Sequence, residues 1–339
     1  MEKNTTDVVI SEEILELTKN KKITKSTVIR HIKFFLIPGW RDPEFGSREY
    51  EIEKIKSKRR FFRRLLTPLT IMGISFILFI VFLAIYAPWL TIFTQKMITD
   101  GGISGETPFA PPSTLHPLGN TQFGYDILAR LIWGARTAIQ FGFISISISV
   151  AGGVVLGTIT GFLGGRVDAI IMRIIDFLMI FPTTIIIILI TQISEDQSLF
   201  NMLIIFGLFG ITGFTRLMRA SVLQVKQELY IEAAVTGGAR RLKIMLKHIM
   251  PNAISPIVIR FFGGVGFAVL AFAGIAFLGF GDSTLADWGT DINYARSRLS
   301  AIHASFWPGV LIIITILGFM LLGDGLRDAL DPRLQQSSG

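Results

Sequence analysis

The residues of this chain that could do acid–base, nucleophilic or metal chemistry are few and scattered. There is no cysteine and the four histidines lie far apart without ligand spacing, so thiol nucleophiles, disulfides and thiolate metal sites are excluded. His116 and His303 could touch a metal such as nickel, but as lone side chains they argue against a metal centre. No G-x-x-x-x-G-K-[ST] loop is present to cradle nucleotide phosphates, and no H-E-x-x-H zinc motif occurs. Neither ATP nor Mg has a site here, no metal is expected, and a catalytic residue set is absent. The charges inside apolar stretches are Arg173, Asp176 and Arg260. An ionisable residue within a membrane is a functional hypothesis by default. Arg173 and Asp176, three apart on one helical face, suit a structural ion pair. Arg260 is the candidate for the transport pathway, facing a polar cavity rather than lipid.

The stretch with the most patterned chemistry runs from Glu228 to Asn252. On a helical projection Ile231, Ala234, Val235, Gly238, Leu242, Met245 and Ile249 share one face, while Glu232, Thr236, Arg240, Lys243 and Lys247 share the other. The spacing predicts an amphipathic helix pair, with Gly237 and Gly238 allowing a change of direction and Pro251 starting the next element. Ala233, Ala234 and Gly238 would let another surface come close. From the residues alone, a helix lying on lipid headgroups and a helix docking a partner protein are both open.

The elements that must position this stretch are membrane spans. Half of the 339 residues are hydrophobic and 17% are charged, against about a quarter charged in soluble domains. Apolar runs at 69–90, 137–162, 169–191, 199–218, 253–280 and 306–322 predict an all-α, polytopic fold of about six transmembrane helices. No cleavable signal precedes the first run, which acts as an anchor. The net charge of +8 comes from a basic region before residue 69 and a few short loops, not from a stripe suited to nucleic acid. Arg166, Arg173, Arg216, Arg219, Lys226, Arg240, Arg241, Lys243, Lys247, Arg327 and Arg333 all fall on one side, which predicts cytoplasmic N- and C-termini in the cell membrane. The opposite side carries Glu195 and Asp196, a Gly- and Pro-rich loop, and Asp282, Asp287 and Asp291. Within that loop the periodic segment Tyr125–Trp133 suits a helix along the membrane surface. The glycines and alanines of span five, Gly263 to Gly279, suit close packing inside the subunit in preference to pore lining.

Glu232-Ala233-Ala234 followed by Gly238 and Pro251 resembles the EAA loop of ATP-binding-cassette importer permeases. His248-Ile249-Met250-Pro251-Asn252 resembles the version in dipeptide, oligopeptide and nickel permeases, with Met250 in place of the usual Leu. The segments His116–Gly119, Gly124–Asp126, Trp133–Arg136, Gly164–Asp168, Phe181-Pro182, Phe277–Gly281, Trp288-Gly289 and Leu322–Pro332 resemble the C-type subunit of that family in order. Two departures stand out: Tyr125 replaces an arginine, and 282–287 lacks the usual prolines. Both are expected on the outer, binding-protein-docking surface.

The resemblance implies a type I importer fold: a heterodimer with a homologous B-type permease, two cytoplasmic ATP-binding subunits and an extracytoplasmic substrate-binding protein. It makes Glu232, Ala233, Ala234, Gly238, His248 and Pro251 the ATPase-coupling residues. The organisation it implies is a cytoplasmic region 1–68, an anchor 69–90, an outer loop 91–136, a permease core 137–326 with the coupling loop 228–251, and a tail 327–339. Di- or oligopeptides are the expected cargo, nickel or oligosaccharide the alternative. A gradient-driven secondary transporter is a third reading, disfavoured because the spans hold no acid or histidine relay and no inverted repeat.

Overall fold

The computed structural model describes residue 61 and residues 64–99, 107–193 and 197–330. The expectations for most of 1–68, for Glu195 and Asp196, and for the tail beyond residue 330 lie outside these residues. The helices are α1 (Pro68–Leu90), α2 (Ile127–Leu163), α3 (Gly165–Leu178), α4 (Thr183–Ile193), α5 (Leu199–Val225), α6 (Leu229–Thr236), α7 (Arg241–Ile244), α8 (Met250–Ala253), α9 (Ser255–Ile275), α10 (Trp288–Ala295) and α11 (Ile302–Leu330). A π-helical turn, Met245–Ile249, joins α7 to α8, and a second, Ala276–Phe280, extends α9. Among the described residues α1, α2, α5, α9 with its extension, and α11 are each long and apolar enough to span a membrane.

The run at 169–191, expected as a straight span, is a bent pair of helices that together are apolar and long enough to cross. α3 and α4 meet at 75°, where Pro182 denies the chain a backbone donor. The ion pairs also differ from expectation. Asp176 pairs with Arg216 of α5 at 2.6 Å and not with Arg173, and Asp168 takes a two-pronged contact from Arg219 at 2.6 Å. These partners are eight residues apart on α3, about 12 Å of helix, but three apart on α5, about 4.5 Å. α3 therefore crosses α5 obliquely.

Span two is longer than expected. The Tyr125–Trp133 segment is not a surface helix: Ile127, Ala129, Arg130, Leu131 and Ile132 are buried and form the first turns of α2. Asp126 caps them, its Oδ1 accepting from Ala129 N at 2.6 Å. The expected outer loop 91–136 therefore ends at residue 126.

The most extensive helix contact lies between α2 and α5. A Cβ on Gly157 would sit 2.5 Å from Met218 Cβ, and one on Gly161 would sit 2.7 Å from Val222 Cγ1; Gly153 faces Phe214 still more closely. Gly207 of α5 returns the approach against Ile148, and Ser149 Oγ donates to Gly207 O at 2.8 Å. Without a hydrophobic drive between helices in lipid, such backbone-to-backbone packing supplies the attraction. Span five divides instead. Gly266, Ala268 and Ala273 are buried, while a Cβ on Gly263 or Gly274 would meet nothing within 4 Å.

Connectivity fixes two ends to the bundle. Gly325 of α11 packs on Thr70 of α1, and Lys226 Nζ donates to Phe162 O at 2.9 Å. The start of α1, the end of α11 and the loop after α5 thus share one end, the loop end. Leu199 N donates to Asp282 Oδ2 at 2.9 Å at the other, the cap end.

Gly157→Leu is expected to separate α2 from α5 and to cost about 1–3 kcal/mol by overpacking, whereas Gly263→Ala is expected to leave stability within about 0.5 kcal/mol. Thermal unfolding of the two variants in detergent compares them.

Candidate functional site

The loop end gathers the residues singled out by the EAA pattern. α6 ends through a left-handed residue: Gly238 has φ +75°, Gly238 N donates to Val235 O at 3.0 Å, and Ala239 N donates to Ala234 O at 3.1 Å. This paired termination needs a residue without a Cβ penalty at Gly238. The turn breaks the single helical projection read from sequence. Ile231, Ile244 and Ile249 are buried, but Val235, Gly238 and Leu242 are exposed. Past the turn, Asn252 Nδ2 donates to His248 O at 2.6 Å. Pro251 lies in the first turn of α8, where its missing donor costs nothing. The next span has its own first-turn proline, Pro256.

Ile231, Ile244, Ile249, Ala253 and Ile257 join the same buried cluster as Met218 and Val222 of α5. The loop is therefore bolted to α5, which is packed on α2 and ion-paired to α3. Its outer surface is apolar and basic: Glu232 and Ala233 are exposed beside Leu229, Val235, Leu242 and Leu246, with Arg240, Arg241, Lys243 and Lys247 among them. A Cβ on Gly238 would meet nothing within 4 Å, so any close approach there is to a separate surface. Ala234 and His248 are half-buried. The fold thus brings Glu232, Ala233, Ala234, Gly238, His248 and Pro251 onto one connected loop.

Arg260 stands apart from this loop, on α9. It is exposed, and among the described residues it forms no ion pair. It shares a stripe with Gly263, Phe267, Gly274 and Leu278, and Phe267 is 64% exposed. The opposite face of α9, with Ile257, Val265, Val269 and Phe272, is buried.

The cap end holds a polar core that sequence reading missed. Arg130, 2% exposed, pairs with Asp291 of α10 and donates from Nη1 to Ile98 O at 2.6 Å. Its guanidinium lies over the Tyr125 ring, and Tyr125 Oη donates to Thr99 O at 2.9 Å. Tyr125 is therefore a buried strut and not part of a docking surface. Asp287 is also buried, capping α10 by accepting from Thr290 N at 2.8 Å. His116 is not a lone histidine: Nδ1 meets Asp126 Oδ2 at 2.9 Å and its ring stacks on Phe93. Trp288 Nε1 donates to Leu131 O and Trp133 Nε1 to Phe93 O, both at 3.1 Å. Burial raises the Asp287 carboxyl, and burial, against the attraction of Arg130, pushes Asp291 up to about 6. A signal was present in the pairing of Arg130 with the acids of 282–291, but their separation of 161 residues concealed it. Among the described residues no group of three His, Asp or Glu side chains suits a metal ion.

Residues 153–336 match the family described as binding-protein-dependent transport system inner membrane component. The chain is 35% identical to the glutathione transport system permease protein of Pectobacterium atrosepticum over 82% of its own length and 91% of that protein's. It is 33% identical to the dipeptide transport system permease protein of Alkalihalophilus pseudofirmus over 90% and 98% of the two chains. The oligopeptide transport system permease protein of Bacillus subtilis is 35% identical, over 79% and 87%.

Because Gly238 is left-handed with open space around it, the two causes of a defect there are separable. Gly238→Asn, which tolerates the left-handed region, is expected to keep the turn, and Gly238→Val to strain it by about 1–3 kcal/mol. Proteolytic sensitivity of the loop reports the turn in each variant.

Proposed function

This chain belongs to the binding-protein-dependent transport system inner membrane components, and on that premise we propose that it forms half of an ATP-driven pore importing di- or oligopeptides. It is a multi-pass membrane permease subunit of an ABC importer and works with ABC partner subunits. The finer composition belongs to the proposal: a heterodimer with a B-type permease, two cytoplasmic ATPases that bind ATP and Mg, and an extracytoplasmic binding protein. This chain carries no phosphate-cradling motif of its own. The names of the relatives, for dipeptide, oligopeptide and glutathione systems, favour peptide over nickel, oligosaccharide or gradient-driven transport.

The observation that carries the mechanism is the loop whose isoleucines share a buried core with α5 and whose apolar and basic outer surface is exposed. In our reading the ATPase seats on that surface around Glu232, Ala233 and Gly238. Its closure pushes on Ile231, Ile244 and Ile249 and so on α5. Since α5 is locked to α2 by glycine contacts and to α3 by two ion pairs, the push rocks the three helices together. The exposed stripe of α9 with Arg260 would face the pathway, where a cation attracts the carboxylate of a peptide. The loop end is cytoplasmic in this reading, in line with its excess of lysine and arginine.

The test is reconstitution with the B-type permease, both ATPases and the binding protein. Uptake of a labelled tripeptide should require ATP and binding protein together, and Arg260→Gln should slow it with assembly intact. Import of nickel or an oligosaccharide in place of any peptide would contradict the cargo assignment, and uptake without ATPases would contradict the mechanism.

A further inference from the structure

At the cap end a cavity of about 160 Å³ opens between α9, α10 and α11. Its walls are Phe277, Ile292, Ala295 and Leu299, and its polar edge is Arg296, Arg298 and Ser305. Two observations make this more than a surface dent.

The first is uncompensated charge. Among the described residues neither Arg296 nor Arg298 forms an ion pair; the Arg298 guanidinium lies 5.9 Å from the Phe109 ring centre. Three described acids of the same end are engaged elsewhere. Asp291 is paired with Arg130, Asp287 caps α10 from inside the protein, and Asp282 accepts from Leu199 and Thr284. Two guanidiniums two residues apart are thus left to share an anion, and the planar fork of arginine suits phosphate oxygens.

The second is the apolar surface beside them. Leu299 is 84% exposed and Ile302 68%, an arrangement costly in water. Phe306 and Trp307 follow, edge to face at 5.1 Å, in the first turns of α11. Aromatic side chains of this kind sit at the level of lipid headgroups. The cavity lies at that same level, since Phe277 is at the end of one span and Ser305 at the start of another. A cationic edge at headgroup depth with an apolar wall running toward the hydrocarbon matches one class of molecule.

We propose that this cavity binds the headgroup phosphate of an anionic phospholipid from the cap-side leaflet, its acyl chains lying on Leu299 and Ile302. Arg296 and Arg298 hold the phosphate, beside Ser305, whose hydroxyl donates to Ile302 O at 3.3 Å. The inference stands independently of the cargo.

The assembled transporter, purified in nanodiscs of phosphatidylcholine mixed with phosphatidylglycerol, provides the test. Native mass spectrometry should show phosphatidylglycerol retained in preference to phosphatidylcholine. The Arg296→Gln/Arg298→Gln variant should lose about tenfold or more of that retention. The Arg296→Lys/Arg298→Lys variant should keep most of it, separating lost charge from lost folding. Arg166→Gln, exposed at the loop end and outside the proposed ATPase seat, should leave the retention unchanged. Equal retention in the Gln variant would overturn the proposal. So would displacement of the lipid by inorganic phosphate at matched concentration, because the acyl wall would then contribute nothing.

Discussion

The approach of α2 to α5 at Gly153, Gly157 and Gly161 is the constraint on which the rest of the molecule depends. In a bilayer two apolar helices gain little by touching unless their backbones come close enough for dense packing and weak polar contacts. Here three glycines at four-residue spacing let Phe214, Met218 and Val222 seat directly on the α2 backbone. The same three α5 residues belong to the cluster that receives Ile231, Ile244 and Ile249 from the loop. The buried core that α5 shares with α2 thus extends without a break into the loop on which the ATPase is proposed to act. In the proposed mechanism, movement of that loop carries α5 and α2 with it.

At the far end the geometry serves a different purpose. Arg130 is buried among Asp291, Ile98 O and Tyr125, and the indoles of Trp133 and Trp288 bind backbone carbonyls across elements. Removing one member of a buried ion pair costs about 3–5 kcal/mol, so the cap holds its shape only as a complete set. In the proposed mechanism the cap is the fixed end of the bundle and the loop end the driven one.

Much of this was legible in the residues. Apolar run lengths gave the five long apolar helices and the bent pair α3–α4, and Glu232-Ala233-Ala234 with Gly238 and Pro251 marked the loop on which the ATPase is proposed to act. What escaped reading was long-range. The helical projection placed Val235 and Leu242 inside because it carried one period across Gly237-Gly238, where the left-handed turn resets the phase. Arg173 and Asp176 were matched by local spacing, but Asp176 found Arg216, 40 residues away. Tyr125–Trp133 read as a surface helix because its charge, Arg130, has its partner 161 residues on. Small residues were noticed in span five, although the most extensive packing is made by span two, where glycines face large side chains.

The central claim is that the loop, α5, α2 and α3 move as one body. The absence of native cysteine makes paired spin labels direct, one at Lys243 on the loop and one at Arg166 at the start of α3, compared with Lys243 and the matching loop of the partner permease. Between nucleotide-free and ATP-bound states of the reconstituted complex, the distance from 243 to 166 should stay constant while the distance across the two permeases changes. A change from 243 to 166 as large as that across the dimer would show the loop moving on its own, and would contradict the account.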